Sequence, residues 1–204
     1  ILMNYSDQYL KSFYKGLKST EFSGNSRIIS SDKFIDDISK LINPNTRLFF
    51  YGNGASMAFA NHMALDWSKN AKVSSCSLSS SALLTALVND YSKDEMFSKH
   101  LEIEKLTQKD LVITISSSGN SSNIVSAIEF ANNLGATTIS FSGLNKENQS
   151  KITSNFSCFV PLMTYGQVEC AHQYWLHLWL DYFLGIEEWN RNESQNMNDQ
   201  KFVK

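Results

Sequence analysis

The spacing of apolar side chains changes along the chain, and those changes mark its elements. Over residues 5–17, aromatic and aliphatic side chains recur at Tyr9, Leu10, Phe13, Tyr14 and Leu17, the i, i+3/i+4 spacing of a helix with one buried face. Residues 33–42 repeat it through Phe34, Ile35, Ile38 and Leu41. The period then shortens. Residues 47–51, 111–115, 137–141 and 156–160 are apolar runs of strand length, each followed by glycine, serine or proline, and residues 72–78 form a weaker fifth run. Helical patterns over 56–68, 81–87, 121–134 and 167–183 separate them.

Strands that alternate with helices imply right-handed βαβ crossovers. Strand runs that are apolar throughout fit a parallel sheet covered on both faces. The expected fold is therefore α/β: a three-layer αβα sandwich around a mainly parallel five-stranded sheet, preceded by two helices. From Glu187 the sequence EEWNRNESQNMNDQKFVK loses all period. Residues 1–187 read as one domain and 188–204 as a polar tail, in which Trp189 and Phe202 are the side chains suited to anchoring on a partner.

Composition narrows the function classes. The 204 residues are 42% hydrophobic and carry a net charge of −2, with no basic patch of the kind a nucleic-acid partner needs. No stretch reaches the roughly 20 apolar residues of a membrane span, and ILMNYSDQYLKSF does not read as a signal peptide. Three widely spaced cysteines, Cys76, Cys158 and Cys170, read as reduced and mostly buried thiols. The expectation is a cytoplasmic protein without nucleic-acid or membrane partners.

Two polar loops stand out at strand ends, where ligands bind in open α/β sheets. One is Gly52-Asn53-Gly54-Ala55-Ser56; the other is Ser116-Ser117-Ser118-Gly119-Asn120-Ser121. Each runs into a helix, whose N-terminal N–H groups and dipole favour an anion, and serine hydroxyls add rotatable donors. Neither GxGxxG nor GxxxxGK[ST] is present, and a phosphate monoester fits better than a dinucleotide. A Ser/Asn helix cap is the competing reading. Elsewhere, His62 and Asp66 lie four apart on one predicted helix, while Glu169, His172 and His177 share another. Together they make a site-sized inventory of nitrogen and oxygen ligands.

With these loops on view, FYGNGASMAFANH, LTALVNDYSKDEMFSKHLE, DLVITISSSGNSSNIVSAIEFA and VECAHQYWLH resemble the sugar isomerase (SIS) domain family, and within it the phosphoheptose isomerases. The resemblance covers roughly residues 5–187. It implies that Ser116, Ser117, Ser118 and Ser121 hold a substrate phosphate and that Asn53, Gly54 and Ser56 face the sugar. It matches Asp90 to an active-site aspartate. It also matches His62, Asp66, Glu169 and His177 to zinc ligands, with Asp66 or Glu169 as the base, Glu169 also touching substrate, and His177 as proton partner or ligand. Three departures stand out. Asp66 replaces the family's longer glutamate, Glu169 its neutral glutamine, and YGQVE its RIQE.

The implied reaction is the isomerisation of sedoheptulose 7-phosphate to D-glycero-D-manno-heptose 7-phosphate through an enediolate, for surface-polysaccharide heptose synthesis. Other readings are an isomerase of another sugar phosphate in a capsule pathway, and a non-catalytic phosphosugar-binding regulator that contacts a replication initiator. One constraint comes from spacing alone. Glu169 and His177 are eight residues apart, about 12 Å along a continuous helix, too far to share one ion comfortably. Sites shared between copies follow, in a homo-oligomer that the resemblance makes a tetramer. The competing explanations are a helix break near 167–169, or a site that uses His172 instead.

Overall fold

In a computed structural model, which describes residues 4–190, two helices and a short hairpin precede an alternating βα array. The elements are α1 (Tyr5–Lys18), β1 (Glu21–Gly24), β2 (Arg27–Ile29), α2 (Ser31–Lys40), β3 (Leu48–Gly52), α3 (Ala55–Lys69), β4 (Ser75–Ser77) and α4 (Ser81–Asp90). There follow α5 (Met96–Ile103), β5 (Leu111–Ser116), α6 (Ser122–Asn133), β6 (Thr137–Gly143), α7 (Gln149–Thr153), β7 (Phe156–Val160) and α8 (Tyr165–Leu184).

One sheet contains all the strands, in the order β2-β1-β7-β6-β5-β3-β4. Its parallel part, β4-β3-β5-β6-β7, is the set of five strands expected from the sequence. The count of five is nevertheless corrected to seven, because β1 and β2 add an antiparallel hairpin along β7, with Phe22 opposite Cys158. The hairpin turns at Asn25 and Ser26, whose φ values are 48° and 64°. Positive φ at both central residues is the turn geometry that matches strand twist.

Both faces of the sheet are covered. Along β3, Leu48 and Phe50 join Phe34, Ile38, Trp67 and Trp179 in one core, while Phe49 and Tyr51 join Leu87, Phe97 and Ile128 in the other. Each such fully buried side chain stabilises the fold by about 1.5–3 kcal/mol, so a strand with no polar face is held from both sides. In the first core the rings of Trp67 and Trp179 pack with centroids 4.7 Å apart. That contact fixes α3 against α8 and aligns the helix faces that carry His62, Asp66 and His177.

Within this chain α8 buries Trp175, Leu176, Trp179 and Leu180 but leaves Tyr174 and Tyr182 exposed at 45% and 52%. All three cysteines are free. Cys158 is buried and Cys76 partly so, but Cys170 is exposed, a correction to the buried thiol expected there. Among the described residues no helix is long and apolar enough to cross a membrane. Of the polar tail, Glu188–Asn190 forms a single 3₁₀ turn with Trp189 exposed; Phe202 lies outside the described residues.

Candidate active site

At the carboxyl end of the parallel strands, three helices begin around one small cavity of about 110 Å³. Asn53 lines it from the loop after β3 and Ser56 from the first turn of α3, Ile115 and Ser116 from the end of β5, and Ser117, Ser118 and Ser121 from the loop that follows. Tyr165 and Glu169 close it from the first turns of α8. Larger grooves of about 420 and 640 Å³ run beside α8. The first is lined mainly by tyrosine, leucine and phenylalanine, and the second mixes acidic and aromatic side chains. Of the three, the small cavity is the one lined by the serine loop and by the starts of three helices.

Helix capping separates the two readings of the serines. Helices α1, α2, α4 and α7 are capped by the side chains of Asn4, Ser30, Ser80 and Asn148. Helices α3, α6 and α8, which start at the cavity, have no side-chain cap at Gly54, Ser121 or Thr164. Ser121 stands in the N-cap position and does not use its hydroxyl there. The reading of Ser121 as a side-chain cap of α6 therefore fails, and the dipoles of three helices are left directed at the cavity.

The hydroxyls are correspondingly available. Ser116 Oγ accepts the Gly119 N–H at 3.2 Å and Ser118 Oγ accepts the Asn120 N–H at 3.3 Å, which leaves each hydroxyl hydrogen free to donate elsewhere. Ser117 Oγ is buried without any hydrogen-bond partner. A buried orphan donor costs about 1–3 kcal/mol, a cost that an oxyanion in the cavity removes. Close approach of β3 to α3 makes glycine necessary at 52, where a Cβ would sit 2.5 Å from the Ser56 carbonyl group.

The two loops are joined through Asn123, which the sequence reading did not single out. Asn53 and Asn123 exchange side-chain amide hydrogen bonds in both directions, each at 2.9 Å, and Asn123 Oδ1 also accepts the Ile124 N–H at 3.0 Å. Asn53 thus lines the cavity while part of its amide locks one loop to the other. The only sequence signal for this role was an asparagine in the first turn of α6, a position with many ordinary explanations.

Farther along α3 and α8, His62, Asp66 and His177 come together with one ligand atom from each within 4.8 Å of the others. His62 Nε2 lies 3.3 Å from Asp66 Oδ2, and the two imidazole rings are 5.1 Å apart at their centroids. Tetrahedral zinc with bonds of about 2.0–2.2 Å spaces neighbouring donors by roughly 3.3–3.6 Å, so the donor set and its spread fit such an ion. Glu169 is absent from this cluster and faces the serine cavity instead. Because α8 is unbroken from Tyr165 to Leu184, the helix break considered above is ruled out.

His172 does not join the cluster either. It is fully buried against Phe141, and burial pushes its pKa down to about 4 despite an opposing contact with the Ser142 backbone. The fourth histidine, His100, pairs with the Tyr51 hydroxyl at 2.7 Å inside the second core. Gly54 starts α3 with a φ of 56° beside the cavity. Asp90 ends α4 exposed, accepting only from Asn89 Nδ2, and the cavity of its own chain does not include it.

A parallel sheet with a serine-lined cavity at the carboxyl ends of its strands defines an α/β protein with a candidate anion site, and comparison with known proteins names its family. Residues 8–143 match the SIS domain model, and the chain belongs to the SIS domain family. Within that family it falls among the phosphoheptose isomerases, a group of isomerases. It is 30% identical to the phosphoheptose isomerase of Thermodesulfovibrio yellowstonii over 83% of this chain and 87% of the relative. To a probable phosphoheptose isomerase of Thermoplasma acidophilum it is 36% identical over 53% of this chain and 62% of the relative. A phosphoheptose isomerase structure from Francisella tularensis superposes with a TM-score of 0.72 at 21% identity, covering 89% of this chain and 98% of that one; at that identity the likeness is one of fold.

Proposed function

We propose that this chain interconverts sedoheptulose 7-phosphate and D-glycero-D-manno-heptose 7-phosphate, in the cytoplasm, as a step toward surface-polysaccharide heptose. The observation that carries the reading is the pairing, along the same two helices, of a serine-lined anion cavity with a histidine and carboxylate cluster. Ser56 and His62 are six residues apart on α3, roughly 9 Å of helix. An extended sugar phosphate is long enough to have its phosphate at one end of that span and its reacting carbons at the other.

In this reading Ser116, Ser117, Ser118 and Ser121 hold the phosphate, and Asn53, Gly54 and Ser56 border the sugar. The phosphate does not react, so its binding energy serves to orient the carbons that do. His62, Asp66 and His177 would hold the zinc ion, which when bound supplies Lewis-acid polarisation of carbonyl and hydroxyl oxygens. A carboxylate must take the proton from the carbon beside the carbonyl and return it to the neighbouring carbon. Asp66, in the cluster of its own chain, and Glu169, brought to that cluster by a second copy, are the two candidates for that transfer. His177 moves the hydroxyl proton. Glu169 completes the cluster of a second copy, and Asp90 likewise serves a copy other than its own, in a homotetramer with sites at subunit interfaces.

The test couples metal analysis of the purified protein to turnover of sedoheptulose 7-phosphate. About one zinc per chain with turnover is the expected result. Asp66→Asn should lose turnover while still binding inorganic phosphate. Metal without turnover of this sugar transfers the same machinery to another sugar phosphate, and neither metal nor turnover removes the catalytic reading.

A further inference from the structure

An oxyanion cavity built without basic side chains faces a difficulty. None of the residues lining it is lysine or arginine, and Glu169 lies among them, so its affinity depends on showing donors to the anion and keeping the carbonyl oxygens of the loop turned away. Backbone carbonyls and an asparagine side chain bring as many acceptors to this loop as donors. Three of those acceptors are occupied from outside. The Ser117 carbonyl accepts the Gly143 N–H at 3.0 Å. The Gly119 carbonyl accepts both the N–H and the hydroxyl of Ser150, each at 2.8 Å. Asn120 Oδ1 accepts the Gln149 N–H at 2.9 Å.

All of these donors come from one stretch, the end of β6 and the start of α7. Asn148 anchors it and is itself fully buried. Its Oδ1 caps α7 by accepting the Lys151 N–H at 2.9 Å, and its Nδ2 donates to the Asn145 carbonyl at 2.7 Å and the Ser142 hydroxyl at 3.2 Å. Ser150 is also buried, 1% exposed. Two fully buried polar side chains, with no contact to the cavity themselves, are spent on the far side of the loop that lines it.

We propose that Asn148 and Ser150 are positioning residues for the substrate anion: Ser150 holds the Gly119 carbonyl away from the cavity, and Asn148, by capping α7, fixes the first-turn N–H groups that hold Gly119 and Asn120, so that the loop binds a phosphate on neutral donors. The inference rests on the phosphosugar reading of the cavity, but not on the identity of the sugar. If α7 serves only to stabilise the fold, weakening its contacts lowers the melting temperature and leaves phosphate affinity where it was. If it orients the loop, affinity falls in a protein that is still folded.

Substitutions at two positions separate these outcomes. Ser150→Ala keeps the backbone donor to Gly119 and removes the hydroxyl donor. Asn148→Asp keeps the capping oxygen and the volume but loses both side-chain N–H donors and adds a charge, so its effect counts for the proposal only where Asn148→Ser, which removes the same donors without a charge, weakens phosphate binding as well. Gln149→Ala is the control, because only its backbone is used. Inorganic phosphate, titrated calorimetrically at 25 °C into each full-length variant shown folded by circular dichroism, should bind about threefold more weakly to Ser150→Ala and about tenfold more weakly to Asn148→Asp. Gln149→Ala should match wild type. With sedoheptulose 7-phosphate as substrate, KM should rise in the same order while kcat stays within about twofold. Folded Ser150→Ala and Asn148→Asp that bind phosphate as wild type does would overturn the proposal, as would a wild-type protein that binds no phosphate. A wild type that binds phosphate without turning over this sugar overturns the heptose assignment and leaves the phosphate series to decide on α7.

Discussion

Gly119 meets two requirements that no other residue in its loop shares. Its φ of 63° lies in the left-handed region, and a Cβ there would fall 2.0 Å from Asn148 Oδ1. Gly119→Ala must therefore carry backbone strain and also push away the side chain that anchors α7. A loss of about 2–4 kcal/mol of stability is expected in urea melts, together with phosphate binding at least about tenfold weaker. An alanine variant with wild-type stability would show that the loop has a second, unstrained arrangement.

His172 offers another residue-scale test, since burial lowers its pKa to about 4. The unfolded chain takes up a proton near pH 6.5 and the folded chain does not until about pH 4, so stability is complete above roughly pH 6.5 and declines as the pH falls toward 4. Between pH 7.5 and 5 this group alone accounts for a loss of about 2 kcal/mol. The difference in unfolding free energy between those two pH values should shrink by that amount in His172→Leu; an equal pH dependence in the two proteins would assign the acid sensitivity elsewhere. Neither this role nor that of Asn148 was legible in the sequence. Both depend on which partners lie across the fold, and a histidine or asparagine alone does not say.

At the scale of elements, legibility followed length and period. The strands β3, β5, β6 and β7 and the helices α1, α2, α3, α4, α6 and α8 each carry a long enough apolar pattern to be read directly, whereas β4, three residues long, shows only as the weaker run over 72–78. The hairpin of β1 and β2 is hidden in EFSGNSRII, where strands of four and three residues are too short for alternation to show. Helix α5 has eight residues and α7 five, less than two turns in the latter case, and α7 is polar because its work is hydrogen bonding. The elements the sequence hid include the one that braces the loop it revealed.

The coupling between α3 and α6 can be tested at this scale. The reciprocal amide pair of Asn53 and Asn123 is the direct side-chain link between the loops that open those helices, and Asn123 is 1% exposed. Asn123→Ala breaks both bonds and leaves the Asn53 amide without these partners, a change worth about 1–3 kcal/mol. Stability should fall by that amount, and the KM for a phosphosugar should rise about tenfold, because the serines and Ser56 no longer share one frame. Should KM stay unchanged while stability falls, the pair is a structural clamp with no bearing on the cavity.

At the scale of the whole molecule, the decisive feature is the straightness of α8. Glu169 lines the cavity at one end of that helix and His177 joins His62 and Asp66 two turns later. A single unbroken helix from Tyr165 to Leu184 keeps the two side chains about 12 Å apart along its axis, so in one chain they cannot bind one ion. The exposed aromatic residues on the same helix and on α1, Tyr174, Tyr182, Tyr5 and Tyr9 among them, give it an apolar outer surface that a second copy can cover. If Glu169 acts in the cluster of a second copy, Glu169→Ala and His177→Ala are each inactive alone and complement each other when mixed. Under two-fold symmetry with random exchange, half the pairs in an equal mixture are hybrids, and one of the two sites in each hybrid has both residues intact. Unfolding and refolding the two variants together should then restore about a quarter of wild-type activity. Separately refolded and merely combined samples should stay inactive until subunits exchange. No recovery in a mixture shown by mass spectrometry to contain hybrids would place both residues in the service of their own chain.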